Sequence, residues 1–304
     1  MTGLRAIVIA VFLLSLSSIS ISSESDVKDR EWLSEGGHSI LMEHYTASWC
    51  EICASLDPWV EDFASANSGR LARVVEHDPT IDPLGTPITS KRAEYLSSEL
   101  SAPSFWFDGK RIQSDVPELS DLSRGLLNAE SKRSNDTKMT ILVRELPGNI
   151  LSIDVTFRQK PANDGQLSIF AIKESVTLSP EEAENGISVH HDVVIAYSEI
   201  SMDGSQKWSY PQNYWILSEY DDQHLQNSSR FSTSLMVGEI GGSEDLRFVI
   251  AHEKISPEGS GISTRGVASV SLSDEDNSTE IGLFAPLISI LAISSLAVIV
   301  QFRQ

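Results

Sequence analysis

Both cysteines of the chain, Cys50 and Cys53, sit at the junction of two differently patterned segments. Before them, Ser39-Ile-Leu-Met-Glu-His-Tyr45 is a compact apolar run that reads as a buried strand. After them, Leu56, Trp59, Val60 and Phe63 recur at three- and four-residue spacing and form one apolar helix face. A strand that ends in a CxxC and continues as a helix requires an α/β arrangement at this point of the chain. The count matters as much as the place. A secreted protein stapled by disulfides spreads an even set of cysteines along its length, whereas this chain of 304 residues keeps one close pair. That favours chemistry over stapling.

The chemistry follows from position. A thiolate at a helix N-terminus is stabilised by unpaired backbone N–H groups and the positive end of the helix dipole. Cys50, first in the pair, is the expected nucleophile. Cys53, one turn later on the same side, is expected to resolve a mixed disulfide, and the spacing lets the two sulfurs close a Cys50–Cys53 bond. Half of a zinc site has the same spacing, but no second CxxC or Cys–His pair exists to complete one, so no metal is expected.

The surroundings of the pair add a resemblance. Trp49 precedes Cys50, Pro58 lies five residues after Cys53, and Ser101-Ala-Pro-Ser-Phe-Trp-Phe-Asp-Gly-Lys110 follows downstream. In this order the stretch resembles the thioredoxin superfamily. The resemblance implies a thioredoxin-like domain over about 31–130, with Pro103 in the cis form facing the cysteines. It also implies that Ala102 and Pro103 hold substrate backbone beside Cys50, and that no cofactor is needed. Two positions depart from the family. Glu51-Ile52 replaces Gly-Pro, and a carboxylate beside Cys50 opposes thiolate formation. His44 stands where thioredoxin has a buried aspartate, with Glu43 beside it; either could take the proton from Cys53. The competing reading of His44 is a hydrogen-bonded strand histidine.

From about residue 138 to 273 the texture changes to short β-strands: Met139–Val143, Ile150–Phe157, Leu167–Ile172, His191–Tyr197, Arg230–Leu235, Leu246–Ala251 and Gly266–Leu272. Turn residues separate several of them, which predicts an antiparallel sandwich. The expected fold class is therefore an α/β thioredoxin-like domain, then an all-β sandwich-like domain, then a C-terminal transmembrane helix. In its order of parts this resembles a group of bacterial outer-membrane-related proteins, without a motif that matches residue by residue. His190 and His191 point to opposite faces of a strand and so are not expected to share an ion. Trp208, Tyr210, Tyr214 and Trp215 make an aromatic loop, read as packing between sheets or as a client contact.

The two ends are apolar. Arg5, the run Ala6–Leu14 and small residues near Ser22 describe a signal peptide over 1–22, with an uncleaved anchor as the alternative. Residues 281–301 are long and uncharged enough to span a bilayer, with Arg303 behind them, so a single-pass membrane protein with its bulk extracytoplasmic and a short cytoplasmic tail is expected. A buried core helix is the other reading. Asn135, Asn227 and Asn277 head Asn-x-Ser/Thr triplets. A net charge of −20 argues against nucleic acid as a partner.

The function expected from these features is a membrane-anchored thiol–disulfide oxidoreductase. Its partners would be client proteins carrying thiols or disulfides and a redox partner protein. The alternative is a non-enzymatic cell-surface binding or assembly protein whose pair is a fixed disulfide.

Overall fold

The computed structural model describes residues 30–96, 100–114, 116–133, 137–221, 228–256 and 261–273. The apolar ends expected as signal peptide and membrane span, and the three Asn-x-Ser/Thr sites, lie outside these residues. The single-pass expectation is corrected to this extent: among the described residues no helix is long and apolar enough to cross a membrane.

In chain order the elements are β1 (Glu31–Gly36), β2 (Ile40–Thr46), α1 (Glu51–Ala66), β3 (Leu71–His77), α2 (Pro87–Leu96), β4 (Ser104–Phe107), β5 (Lys110–Arg111) and α3 (Leu119–Lys132). Then come β6 (Met139–Leu146), β7 (Ile150–Phe157), β8 (Gly165–Thr177), β9 (Val189–Ser201), β10 (Gln206–Tyr210), β11 (Trp215–Asp221), β12 (Ser229–Met236), β13 (Leu246–Ile255) and β14 (Ile262–Ser271).

The expected fold class is overturned. Among the described residues the structure is mostly β, with 47% strand and three α-helices, and no thioredoxin-type α/β domain stands apart from a second domain. Two sheets organise it: a five-stranded one in the order β1-β6-β7-β12-β11, and a nine-stranded one, β14-β13-β8-β9-β3-β2-β4-β5, with β10 beside β9. The larger sheet runs through both halves of the sequence, joined where Val75 of β3 pairs with Val193 of β9. The smaller sheet also crosses the expected boundary, because β1 pairs along its whole length with β6.

Three cores explain this layout. Alternation along β6 points Met139, Ile141 and Val143 inward, toward Ile169, Phe248 and Val270 of the facing sheet. On the other face of the large sheet, Leu41, Ala72 and Val74 from β2 and β3 join Phe170, Val194 and Val249, with Ile88 of α2. Helices α1 and α3 cover Ile40, Met42 and Phe105 through Leu56, Phe63, Leu122 and Leu126. β2 is buried at every residue, which is why it reads as a continuous apolar run rather than an alternating one.

The β4–β5 hairpin turns at Asp108-Gly109, both at positive φ. A Cβ on Gly109 would meet the Ile262 carbonyl oxygen at 2.3 Å, so glycine is required there by both shape and conformation. The aromatic segment expected as a loop instead forms β10 and the start of β11. Trp215 is buried, its ring N–H donating to the Tyr210 carbonyl at 3.0 Å.

His252, on β13, illustrates the consequence of burial. Its Nδ1 lies 2.9 Å from Thr137 Oγ1, and burial, aided by Arg265, pushes its pKa down to about 4. A histidine neutral in the fold but protonated in the unfolded chain contributes stability that is present above its ordinary value of 6.5 and lost as pH falls toward 4. The loss expected by pH 4 is on the order of 3 kcal/mol. Urea unfolding at pH 7 and pH 4 measures it, and His252→Gln should flatten the dependence. An unchanged pH profile in that variant would rule out His252 as its source.

Candidate functional site

Helix α1 begins at the cysteine pair. Cys50 is its N-cap, in extended conformation, and its sulfur accepts the Cys53 backbone N–H at 3.1 Å. The sulfurs are bonded, with Cα atoms 5.2 Å apart. Both cysteines are buried, Cys50 with 6% of its surface accessible and Cys53 with none. Pro58 sits inside the helix. Glu51 is exposed in the first turn, and Trp49 and Ile52 are exposed on either side of Cys50.

The segment expected to face the pair does so. The Ala102–Pro103 bond is cis, and the Ala102 carbonyl oxygen lies 3.8 Å from the Cys50 sulfur. Ala47, Cys50, Cys53 and Ala102 pack together.

The two candidate proton acceptors part company, because consecutive strand residues face opposite sides of the sheet. Glu43 joins Arg92 at 2.7 Å in a buried charge network on the α2 side. His44 faces the other way, stacked on Phe105 at 4.4 Å between ring centroids and 3.4 Å from Asp57 of α1. Burial lowers the pKa of His44, the Asp57 carboxylate only partly opposing it, so the ring is neutral near pH 7. Asp57 also accepts from Thr46 Oγ1 at 2.8 Å.

Several residues at the site carry no motif and escaped the sequence reading. Asp82, from the loop after β3, accepts the Ser48 N–H at 2.5 Å and lies 3.2 Å from His77 Nδ1. Burial alone would raise Asp82, but the His77 ring and the N–H groups of Ser48 and Leu84 hold its carboxyl below the usual range. From the loop between β8 and β9, Asn185 donates from its amide to the carbonyls of Ala47 and Cys50, both at 3.2 Å. Its backbone N–H reaches the Ser48 carbonyl at 2.8 Å. The only local signal for this strap is the turn-forming pair Asn185-Gly186.

A cavity of about 420 Å³ lies behind the helix, lined in part by His44, Asp57, Arg73 and His190. His190 is buried and packs edge-on against His77 at 4.9 Å, whereas His191 is exposed. Among the described residues no three His, Cys, Asp or Glu side chains converge as a metal site would require.

No family model and no curated protein matches the chain. Two solved structures are similar to it. HBP35 of Porphyromonas gingivalis shares 11% identity at a TM-score of 0.54, over 77% of this chain and 74% of that one. A protein of Agrobacterium tumefaciens, AGR_C_4864, shares 12% at a TM-score of 0.51, over 78% of this chain and 95% of that one. At such identities the likeness is one of fold.

Proposed function

We propose that the protein is a thiol–disulfide oxidoreductase acting on protein disulfides through Cys50 and Cys53. One observation carries this reading: the Cys50 sulfur caps a 16-residue helix among exposed Trp49, Glu51 and Ile52, while its bonded partner Cys53 is fully buried. The likeness of Trp49, Pro58 and the Ala102–Pro103 segment to thioredoxin-like active sites supports it. The cap position favours Cys50 as a thiolate once the pair is reduced, with Glu51 working against it.

In the reducing direction the Cys50 thiolate attacks one sulfur of a client disulfide. The client's other sulfur leaves as a thiolate and takes a proton. Cys53 then loses its proton, with neutral His44 and its Asp57 neighbour as the acceptor, and its sulfur attacks Cys50. The second client sulfur departs, and two electrons have passed to the client as the Cys50–Cys53 bond re-forms. A redox partner protein must then reduce the pair. The opposite direction uses the same steps reversed. The Ala102 carbonyl beside Cys50 is placed to meet the backbone N–H of an extended client segment.

The test is a trap. Cys53→Ala, in the full chain, should accumulate a mixed disulfide with an oxidised model protein, reversed by dithiothreitol. Cys50→Ser should trap nothing and lose turnover of that substrate. Wild-type turnover that survives both substitutions, or a pair that resists reduction by millimolar dithiothreitol, would leave a fixed disulfide on a binding scaffold as the better account.

A further inference from the structure

Away from the cysteines, a basin of about 550 Å³ opens between α3, the β4–β5 hairpin and the start of β14. None of the residues around Cys50 lines it. Its wall carries Lys110, Arg111, Arg124, Lys132 and Arg133 against two acids, Asp108 and Asp121. That excess is unusual in a chain of net charge −20.

The two acids are already engaged. Asp108 pairs with Arg133, and Asp121 with Arg124 at 3.3 Å. Arg111 is held by Ser101 and Ser104, both at 3.1 Å. Lys110 and Lys132 are different: both are exposed, and they stand beside each other with no carboxylate paired to either among the described residues. The Lys110 ammonium is near enough to hold Lys132 below its ordinary pKa. The C-terminal end of α3 favours a cation at Lys132. It gives no reason for a second cation to be brought up to it on β5. Beneath them the floor is apolar, made by Phe107, Ile112, Ala129 and Ile262. The volume is that of a small-molecule site.

We propose that this basin binds a small phosphate monoester with a compact apolar body. The phosphate dianion lies between Lys110 and Lys132 and the body rests on the floor. Two adjacent ammonium charges call for two negative charges on one compact head, which a carboxylate does not supply. The strongly negative remainder of the surface repels anions, so adventitious binding elsewhere is suppressed.

Phenyl phosphate, inorganic phosphate and benzyl alcohol, each titrated into the full chain by calorimetry, test the proposal. Phenyl phosphate should bind at one saturable site, with inorganic phosphate at least about fivefold weaker and benzyl alcohol weaker still. Lys110→Gln with Lys132→Gln should weaken phenyl phosphate about tenfold or more, and Lys110→Arg with Lys132→Arg should retain it. Both lysines are exposed, so an unchanged circular dichroism spectrum is expected of every variant. No saturable binding, an undiminished affinity in the glutamine variant, or equal affinity for inorganic phosphate would overturn it. None of these outcomes depends on the cysteines.

Discussion

Arg92→Met is expected to destabilise the protein by about 3–5 kcal/mol near neutral pH, the cost of leaving buried charges without their partner. Arg92 has no accessible surface. Its Nε donates to Glu43 at 2.7 Å, Nη2 to Glu253 at 2.9 Å, and Nη1 to Glu253 at 3.0 Å and Tyr197 at 3.1 Å. Phe170 packs under the guanidinium at 5.2 Å. Methionine keeps an unbranched apolar stem but ends short of the guanidinium, so the loss measured combines the missing charge with the space that group filled. Against a typical stability of roughly 5–15 kcal/mol, it is a large fraction.

The penalty should also depend on pH. Burial raises the pKa of Glu43, Arg92 opposing it, and raises Glu76 well above the carboxylate range, with Glu43 adding to it. Groups raised in the fold contribute stability that is full at low pH and lost as pH climbs through their raised values. Without Arg92 the buried carboxylates rise further. The variant should therefore lose more at pH 8 than at pH 5, where they can protonate. Urea unfolding of both proteins at the two pH values measures this. A penalty below about 1 kcal/mol, or one equal at both pH values, would show that Arg92 does not neutralise this cluster.

A fragment of residues 31–130, which the two-domain expectation treats as an independent unit, should fail to fold. Cutting there strips β1 of β6 and β3 of β9. It exposes Leu41, Val74 and Ile88, which are packed in the intact chain among Phe170, Val194 and Val249. Each such side chain returned to water costs roughly 1.5–3 kcal/mol, and together they approach the stability of a whole domain. The cut also takes Glu253 and Tyr197 from Arg92. A narrow amide proton spectrum and a coil-like circular dichroism trace are expected. Dispersed amide resonances with cooperative unfolding would restore the independent domain.

Much of the local structure was legible from residue order. Three- and four-residue spacing of Leu56, Val60 and Phe63 marks α1, and alternation along Met139–Val143 marks β6. Asp108-Gly109 marks its turn, and the place of Ala102-Pro103 was anticipated from its likeness to known active sites. These are short-range signals, written in periodicity and backbone restriction. β1 went unread because Glu31-Trp-Leu-Ser-Glu-Gly36 has too weak an alternation to declare itself; it becomes a strand by pairing with β6, Glu31 opposite Arg144, 113 residues away.

By itself, then, the sequence determined the local geometry at one point: a helix opening on Cys50 with Cys53 one turn behind it. Tertiary structure decided what surrounds that point. It turned Glu43 toward Arg92 and His44 toward Asp57, since neighbouring strand residues must face opposite ways. It brought Asn185 onto the carbonyls of Ala47 and Cys50, and it merged two expected domains through one long sheet. The physical reason is the same in each case. Pairing of distant strands and burial of shared faces depend on which segments meet, and no spacing within a short window records that.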